Sequence, residues 1–274
     1  MNRSICFGLV LLASIALAPP ASAQTSLWRP DAVVFGPSVA AFEQLPKPDG
    51  APPTPRHTGI KALVKGVFVD LAHIPSKENL YWAAAGGGLA LAVHPLDGNI
   101  NRKLAYNHQA DNFFKPGEIL GESGTLIGTA AVVYAFGRLR DEPKISHVGM
   151  DLIQSLVVSE IVTQSLKYAT HRERPDHTTK NSFPSGHAAD TFAFATALER
   201  HLGWRYAVPA YAFSSYVALS RLPANRHWFS DAVFGAAVGV IAGRTVTSHE
   251  AHPFPVAVTP VPGGVAMMYT RPRR

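Results

Sequence analysis

Six segments of this chain exceed ten residues and are rich in Ala, Leu and Val: Leu80–His94, Gly117–Arg138, Val148–Thr170, Ala188–Leu202, Tyr206–Leu222 and Asp231–Val246. Apolar runs of that length read as helices rather than strands. They predict an all-α chain with a helical core bundle, and no internal repeat is visible. Carboxylates puncture three of the six runs: Glu118 and Glu122, Asp151 and Glu160, Asp190 and Glu199. The last run keeps only the uncharged stretch Ala232–Gly243, whereas a membrane span needs about 20 largely apolar residues. The pattern favours the buried helices of an exported bundle that touches a membrane over clear spans, with helices integral to the membrane as the alternative. Gly235, Gly239 and Gly243 fall on one helix face and permit close packing. Gly86-Gly87-Gly88 is not a phosphate loop, because no Gly-Lys-Ser/Thr follows, and it reads as a close helix contact.

Composition narrows the partners. Charged residues make up 16% of the 274, against roughly 25% in an ordinary soluble domain, which excludes a disordered chain. A single cysteine excludes a disulfide scaffold and a Cys-rich zinc site. The net charge of +6 points to anionic partners.

The termini read differently from the middle. Residues 1–23 have the pattern of a secretory signal, with Arg3, an apolar run from Cys6 to Ala18 and an Ala21-Ser22-Ala23 cleavage site. Residues 24–63 form a Pro-rich irregular arm, since Pro30, Pro37, Pro46, Pro48, Pro52, Pro53 and Pro55 forbid long helices. The helical domain is expected over residues 64–247. In the tail, 248–274, Phe254–Tyr269 reads as a short β-hairpin turning at Pro262-Gly263-Gly264.

Three clusters carry chemistry. The first runs from Lys167 to Arg174-Pro175. Guanidinium and ammonium groups suit phosphate oxygens, and they equally suit a helix C-terminus. His171, Arg172 and Lys180 add positive field there without an assigned ligand role. The second is Ser182-Phe183-Pro184-Ser185-Gly186-His187 ahead of a helical run. Ser185 is a candidate N-cap, Gly186 allows close backbone approach, and a helix start binds anions. The third runs from Ser220-Arg221 to His227 and Asp231. His227 and Asp231 share a face if that stretch is helical. A carboxylate on one imidazole nitrogen leaves the other nucleophilic, although the pair also fits a structural contact or half a metal site.

In order, Lys-x6-Arg-Pro, Pro-Ser-Gly-His and Ser-Arg-x5-His-x3-Asp resemble the three-part signature of the type 2 phosphatidic acid phosphatase superfamily, over roughly residues 124–247. That superfamily includes lipid phosphatases, bacterial class A acid phosphatases and vanadium haloperoxidases, and its fold is all-helical. The resemblance implies His227 as a nucleophile forming a phosphohistidine and Asp231 as its orienting carboxylate. It implies His187 as the acid that protonates the leaving group and later activates water. Lys167, Arg174, Arg221, Ser185 and the Gly186 N–H would hold the phosphoryl oxygens, with no metal and no cofactor. The implied partner is a phosphorylated small molecule or lipid, with membrane association and no nucleic acid. The expected activity is hydrolysis of a phosphomonoester or lipid (pyro)phosphate in the periplasm. The alternatives are a vanadium-dependent haloperoxidase using the same cradle and a non-enzymatic anion-binding envelope protein.

Overall fold

The computed structural model describes residues 59–105, 107–248, 256–261 and 264–269. The signal segment, most of the Pro-rich arm and most of the tail lie outside the described residues.

The described helices are α1 (Ile60–His73), α2 (Lys77–Val93), α3 (Asp97–Leu104), α4 (His108–Leu120), α5 (Ser123–Leu139), α6 (Pro143–Thr170), α7 (Gly186–Leu202), α8 (Trp204–Ser220) and α9 (Phe229–Thr247), with a 3-10 turn at His94–Leu96 between α2 and α3. The all-α expectation holds for this body. α1 starts inside the segment assigned to the arm, because the last proline before it is Pro55 and the chain beyond is free to coil. The run expected as one helix from Gly117 to Arg138 is two. α4 ends at Leu120, Gly121 and Glu122 leave the helix, and α5 sets off at 44° to α4. α3, short and polar, carries no long apolar run and was not anticipated.

α9 packs most extensively on α7, and α6 lies against both. The glycine stripe explains the first contact. A Cβ on Gly235 would stand 2.5 Å from Ser185 O, one on Gly239 would stand 2.2 Å from Ala189 O, and one on Gly243 would stand 2.7 Å from Thr196 Cβ. Gly86 admits α2 in the same way, since a Cβ there would meet Ala237 Cβ at 2.2 Å. Val67, Val158, Ala193, Ala242 and Val246 form a buried apolar cluster where α1, α6, α7 and α9 meet.

Separately, β1 (Val256–Val261) and β2 (Gly264–Tyr269) pair antiparallel with Val261 opposite Gly264. This is the expected hairpin; Pro262 and Gly263 of its turn lie outside the described residues.

Three of the six punctuating carboxylates, Asp151, Asp190 and Glu199, are satisfied inside the bundle, whereas Glu122 is exposed. Asp151 meets His201 at 2.8 Å and His147 at 3.3 Å. Asp190 accepts from Ser123 at 2.5 Å and Ser159 at 2.9 Å. Glu199 accepts from Tyr211 at 2.7 Å. Large apolar side chains meanwhile face outward: Phe68, Tyr81, Leu91, Phe113 and Leu139 are each at least 66% exposed. Asp151, Asp190 and Glu199 therefore do not speak against lipid around the bundle, because they face its interior. α6 and α9 are each long and apolar enough to cross a membrane, and the bent α4–α5 pair qualifies as a third crossing if it acts as one span.

Candidate active site

The loop between α6 and α7 brings the first two clusters together. α6 ends with His171 in the left-handed conformation (φ 46°), its N–H donating to Lys167 O at 3.1 Å. The chain then doubles back. Ser182 N donates to Arg172 O at 2.9 Å, and Arg174 N donates to Thr179 O at 3.0 Å. The loop that joins the first two clusters is thus closed by backbone bonds. The Phe183–Pro184 peptide is cis, and Ser185 follows as the N-cap of α7.

Ser185 caps with its backbone only. Its side chain accepts no bond from the helix, and its buried Oγ has no hydrogen-bond partner among the described residues. The Nε atoms of Arg174 and Arg221 are likewise buried without a hydrogen-bond partner. Arg221 is 6% exposed, and its Nη1 stands 3.0 Å from Glu118 Oε1. A Cβ built on Gly186 would lie 3.9 Å from Lys167 Nζ, so the ammonium stands directly beside the start of α7. Buried donors left unmade are costly, and here they collect around one helix N-terminus, where backbone N–H groups also point outward. The arrangement is a cradle for an anion.

His227 is buried against this cradle. It precedes α9 rather than lying in it: Trp228 is the N-cap and Asp231 the third residue of the helix. His227 Nδ1 donates to Ser182 O at 2.6 Å, whereas Asp231 Oδ2 stands 3.8 Å from the same nitrogen. The expected orienting hydrogen bond to Asp231 is therefore made by a backbone carbonyl. Asp231 remains within ion-pair range and supplies charge. A carbonyl only accepts, so Nδ1 must carry the proton and Nε2 keeps its lone pair. Asp231 is tied elsewhere. Its Oδ2 accepts from Ser182 Oγ at 2.5 Å and Trp228 N at 2.9 Å, and its Oδ1 accepts from Arg172 Nη1 at 2.5 Å. Ser185 N donates to Asp231 O at 3.1 Å, which joins the second and third clusters.

Burial, then the charges of Arg221, His227 and Lys167, push the pKa of His187 down to about 3. Burial also lowers that of His227, against the pull of Asp231. Both shifts favour the neutral imidazole at pH 7. Among the described residues no cluster of three or more His, Cys, Asp or Glu is arranged to hold a metal ion.

All eight predicted site residues converge here. Sequence reasoning missed Ser182, Glu118, Arg172 and Asp97 as structural partners. Arg172 was noted only as positive field, and Asp97 lies far from every cluster, so only the fold brings it near.

Residues 148–251 match the family model of the PAP2 superfamily. The segment is a PAP2-superfamily domain. It holds α7, α8 and α9, most of α6, and all eight residues above. Curated proteins similar to this chain include a lipid A 1-phosphatase from Porphyromonas gingivalis, 48% identical over 81 residues, which are 28% of this chain and 18% of that protein. Another lipid A 1-phosphatase, from Rhizobium johnstonii, is 30% identical over 152 residues, 45% of this chain and 62% of that protein. The chain thus spans less than two thirds of either relative's length. Among solved structures, a transmembrane PAP2 type phosphatidylglycerolphosphate phosphatase from Bacillus subtilis superposes with a TM-score of 0.50 at 19% identity, covering 69% of this chain and 94% of that one. That likeness is one of fold.

Proposed function

We propose that this protein is a membrane-embedded phosphatase that hydrolyses a lipid phosphomonoester without a metal, with lipid A bearing a 1-phosphate as the first substrate to test. The observation that carries the reading is the set of unpaired buried donors, Ser185 Oγ and the Nε atoms of Arg174 and Arg221, gathered beside a histidine whose Nδ1 is held by a carbonyl. The names of the relatives support the substrate class. The outward apolar side chains and the two span-length helices support the membrane setting.

On this reading each group has one task. Phosphoryl oxygens are held by Lys167, Arg174, Arg221, Ser185 and the Gly186 N–H, which neutralise charge on the equatorial oxygens. His227 Nε2 attacks phosphorus in line, and the bond to the leaving oxygen breaks. That oxygen takes its proton from His187. Burial and then the nearby cations disfavour the charged form of His187, and a bound phosphate dianion offsets the cationic share, so protonation of His187 accompanies binding. Asp231 stabilises the positive charge on His227. In the second half, His187 takes a proton from water, the hydroxide attacks the phosphohistidine, and inorganic phosphate leaves with His227 restored.

The test is phosphate release by full-length protein in detergent micelles containing EDTA. Substrates are lipid A 1-phosphate, phosphatidic acid and a water-soluble aryl phosphate, each with wild type and His227→Ala. Turnover of a lipid substrate that is lost in the variant is expected. Undiminished turnover in His227→Ala, or no turnover of any substrate by wild type, overturns the reading.

A further inference from the structure

Asp231 is held by a second carboxylate acting through one arginine. Arg172 Nη1 donates to Asp231 Oδ1 at 2.5 Å and to Ser230 Oγ at 2.8 Å, while its Nη2 donates to Asp97 Oδ2 at 2.8 Å. Asp97 is 5% exposed. Its Oδ1 accepts from Ser230 N at 2.9 Å, and its Oδ2 accepts from Ser230 Oγ at 2.6 Å. The Arg172 guanidinium also lies 5.8 Å from the Trp228 ring centroid. Asp97 thus satisfies a free N–H at the start of α9 while anchoring the guanidinium that grips Asp231. It does this from α3, outside the matched PAP2 segment.

The two oxygens of Asp231 are divided. Oδ2 is taken by Ser182 and Trp228, and Oδ1 is held by Arg172. A carboxylate so held cannot rotate to claim His227 Nδ1, which keeps its bond to Ser182 O. A planar guanidinium can bridge two carboxylates in fixed directions, whereas an ammonium cannot. We propose that Asp97 and Arg172 are positioning residues, acting through Asp231 to hold the His227 imidazole at its attack angle. The proposal rests on the reading of His227 as nucleophile.

Its corollary is that helix α3, polar and short, is part of the catalytic apparatus. Burying a pair of carboxylates around one guanidinium is costly unless the geometry is needed. Here that geometry fixes a group adjoining the attacking atom, and a misplacement of about 1 Å there costs on the order of 100-fold in rate.

The experiment compares wild type, Asp97→Asn, Arg172→Lys, Arg172→Gln, the double variant Asp97→Asn/Arg172→Gln, and His227→Ala, all full length in detergent micelles. The readouts are kcat and KM for lipid A 1-phosphate, the inhibition constant of inorganic phosphate, and the melting temperature. For Asp97→Asn and Arg172→Gln, kcat is expected to fall about 10- to 100-fold while KM and phosphate inhibition move less than about threefold. Arg172→Lys should recover only part of the rate. The double variant should be no worse than Arg172→Gln, because both changes break one relay. Wild-type kcat in either single variant overturns the proposal. Additive losses overturn it too, and a parallel loss of phosphate affinity overturns it by making Arg172 a ligand. If Arg172→Gln does not fold, the isosteric Asp97→Asn decides alone. Full activity in His227→Ala would instead overturn the reading of the site, whereas failure of the relay variants alone leaves that reading standing.

Discussion

The Nδ1 of His227 donates to the backbone oxygen of Ser182 at 2.6 Å, so the imidazole is oriented by a group that no side-chain substitution removes. Ser182 contributes twice, because its hydroxyl also donates to Asp231 Oδ2 at 2.5 Å. Ser182→Ala keeps the first contact and loses the second. Its kcat is expected to fall less than about tenfold, the scale of one lost hydrogen bond. His227→Ala should lose at least about 10³-fold, as removal of a nucleophile does. Equal losses in the two variants would show that the carbonyl contact does not set the imidazole.

Ser185 Oγ is buried and unpartnered before any ligand arrives. Removing it should leave the empty protein as stable as before, or slightly more so, since an unmet donor disappears. The same change should weaken inhibition by inorganic phosphate about tenfold, the equivalent of one hydrogen bond of about 1.4 kcal/mol. Melting temperature and phosphate inhibition of Ser185→Ala check both halves. A loss of stability with unchanged inhibition would mean that the hydroxyl serves the fold and not the anion.

The contact of α9 with α7 leaves no room for a methyl group at Gly239, where a Cβ would stand 2.2 Å from Ala189 O and 2.8 Å from Ala193 N. Both neighbours are backbone and cannot swing aside. Gly239→Ala is expected to destabilise by at least about 1–3 kcal/mol, the usual cost of overpacking. Gly88→Ala is the matched control in α2, where a Cβ meets nothing within 4 Å. It should be neutral or up to about 1 kcal/mol stabilising, from helix propensity. Thermal denaturation in micelles compares them, and similar melting temperatures for the two variants would contradict the packing.

The clusters were legible in the sequence because their chemistry is local. Lys167, Arg174, Ser185, His187, Arg221 and His227 sit in short motifs whose spacing survives without knowledge of the fold. The helix count was legible where runs were long and apolar. The break at Gly121-Glu122 was hidden, because apolar residues continue on both sides of it. The partners of Asp231 were hidden for another reason. Asp97 lies 133 positions before Ser230, and nothing local marks an aspartate as the anchor of a distant arginine. The membrane question stayed open in the sequence at Asp151 and Asp190, because a one-dimensional pattern does not say which face a carboxylate takes.

The acid sensitivity of the fold follows from the two imidazoles. His187 is pushed down to about 3 from the ordinary value of 6.5, and His227 is lowered as well. Below pH 6.5 the unfolded chain therefore takes up protons that the folded chain refuses, and each such proton favours unfolding. Stability should be full above about pH 6.5 and should decline as the pH falls from there toward about 3. Carboxylates titrate at the acid end of that window, so the histidine share is isolated by comparison with His187→Gln, whose melting temperature should fall less steeply between pH 6.5 and 5. Saturating inorganic phosphate should also flatten the wild-type slope, because its charge offsets the cations that depress His187. Parallel melting curves for wild type and His187→Gln across this range would mean that His187 accepts its proton in the folded protein as freely as in the unfolded chain.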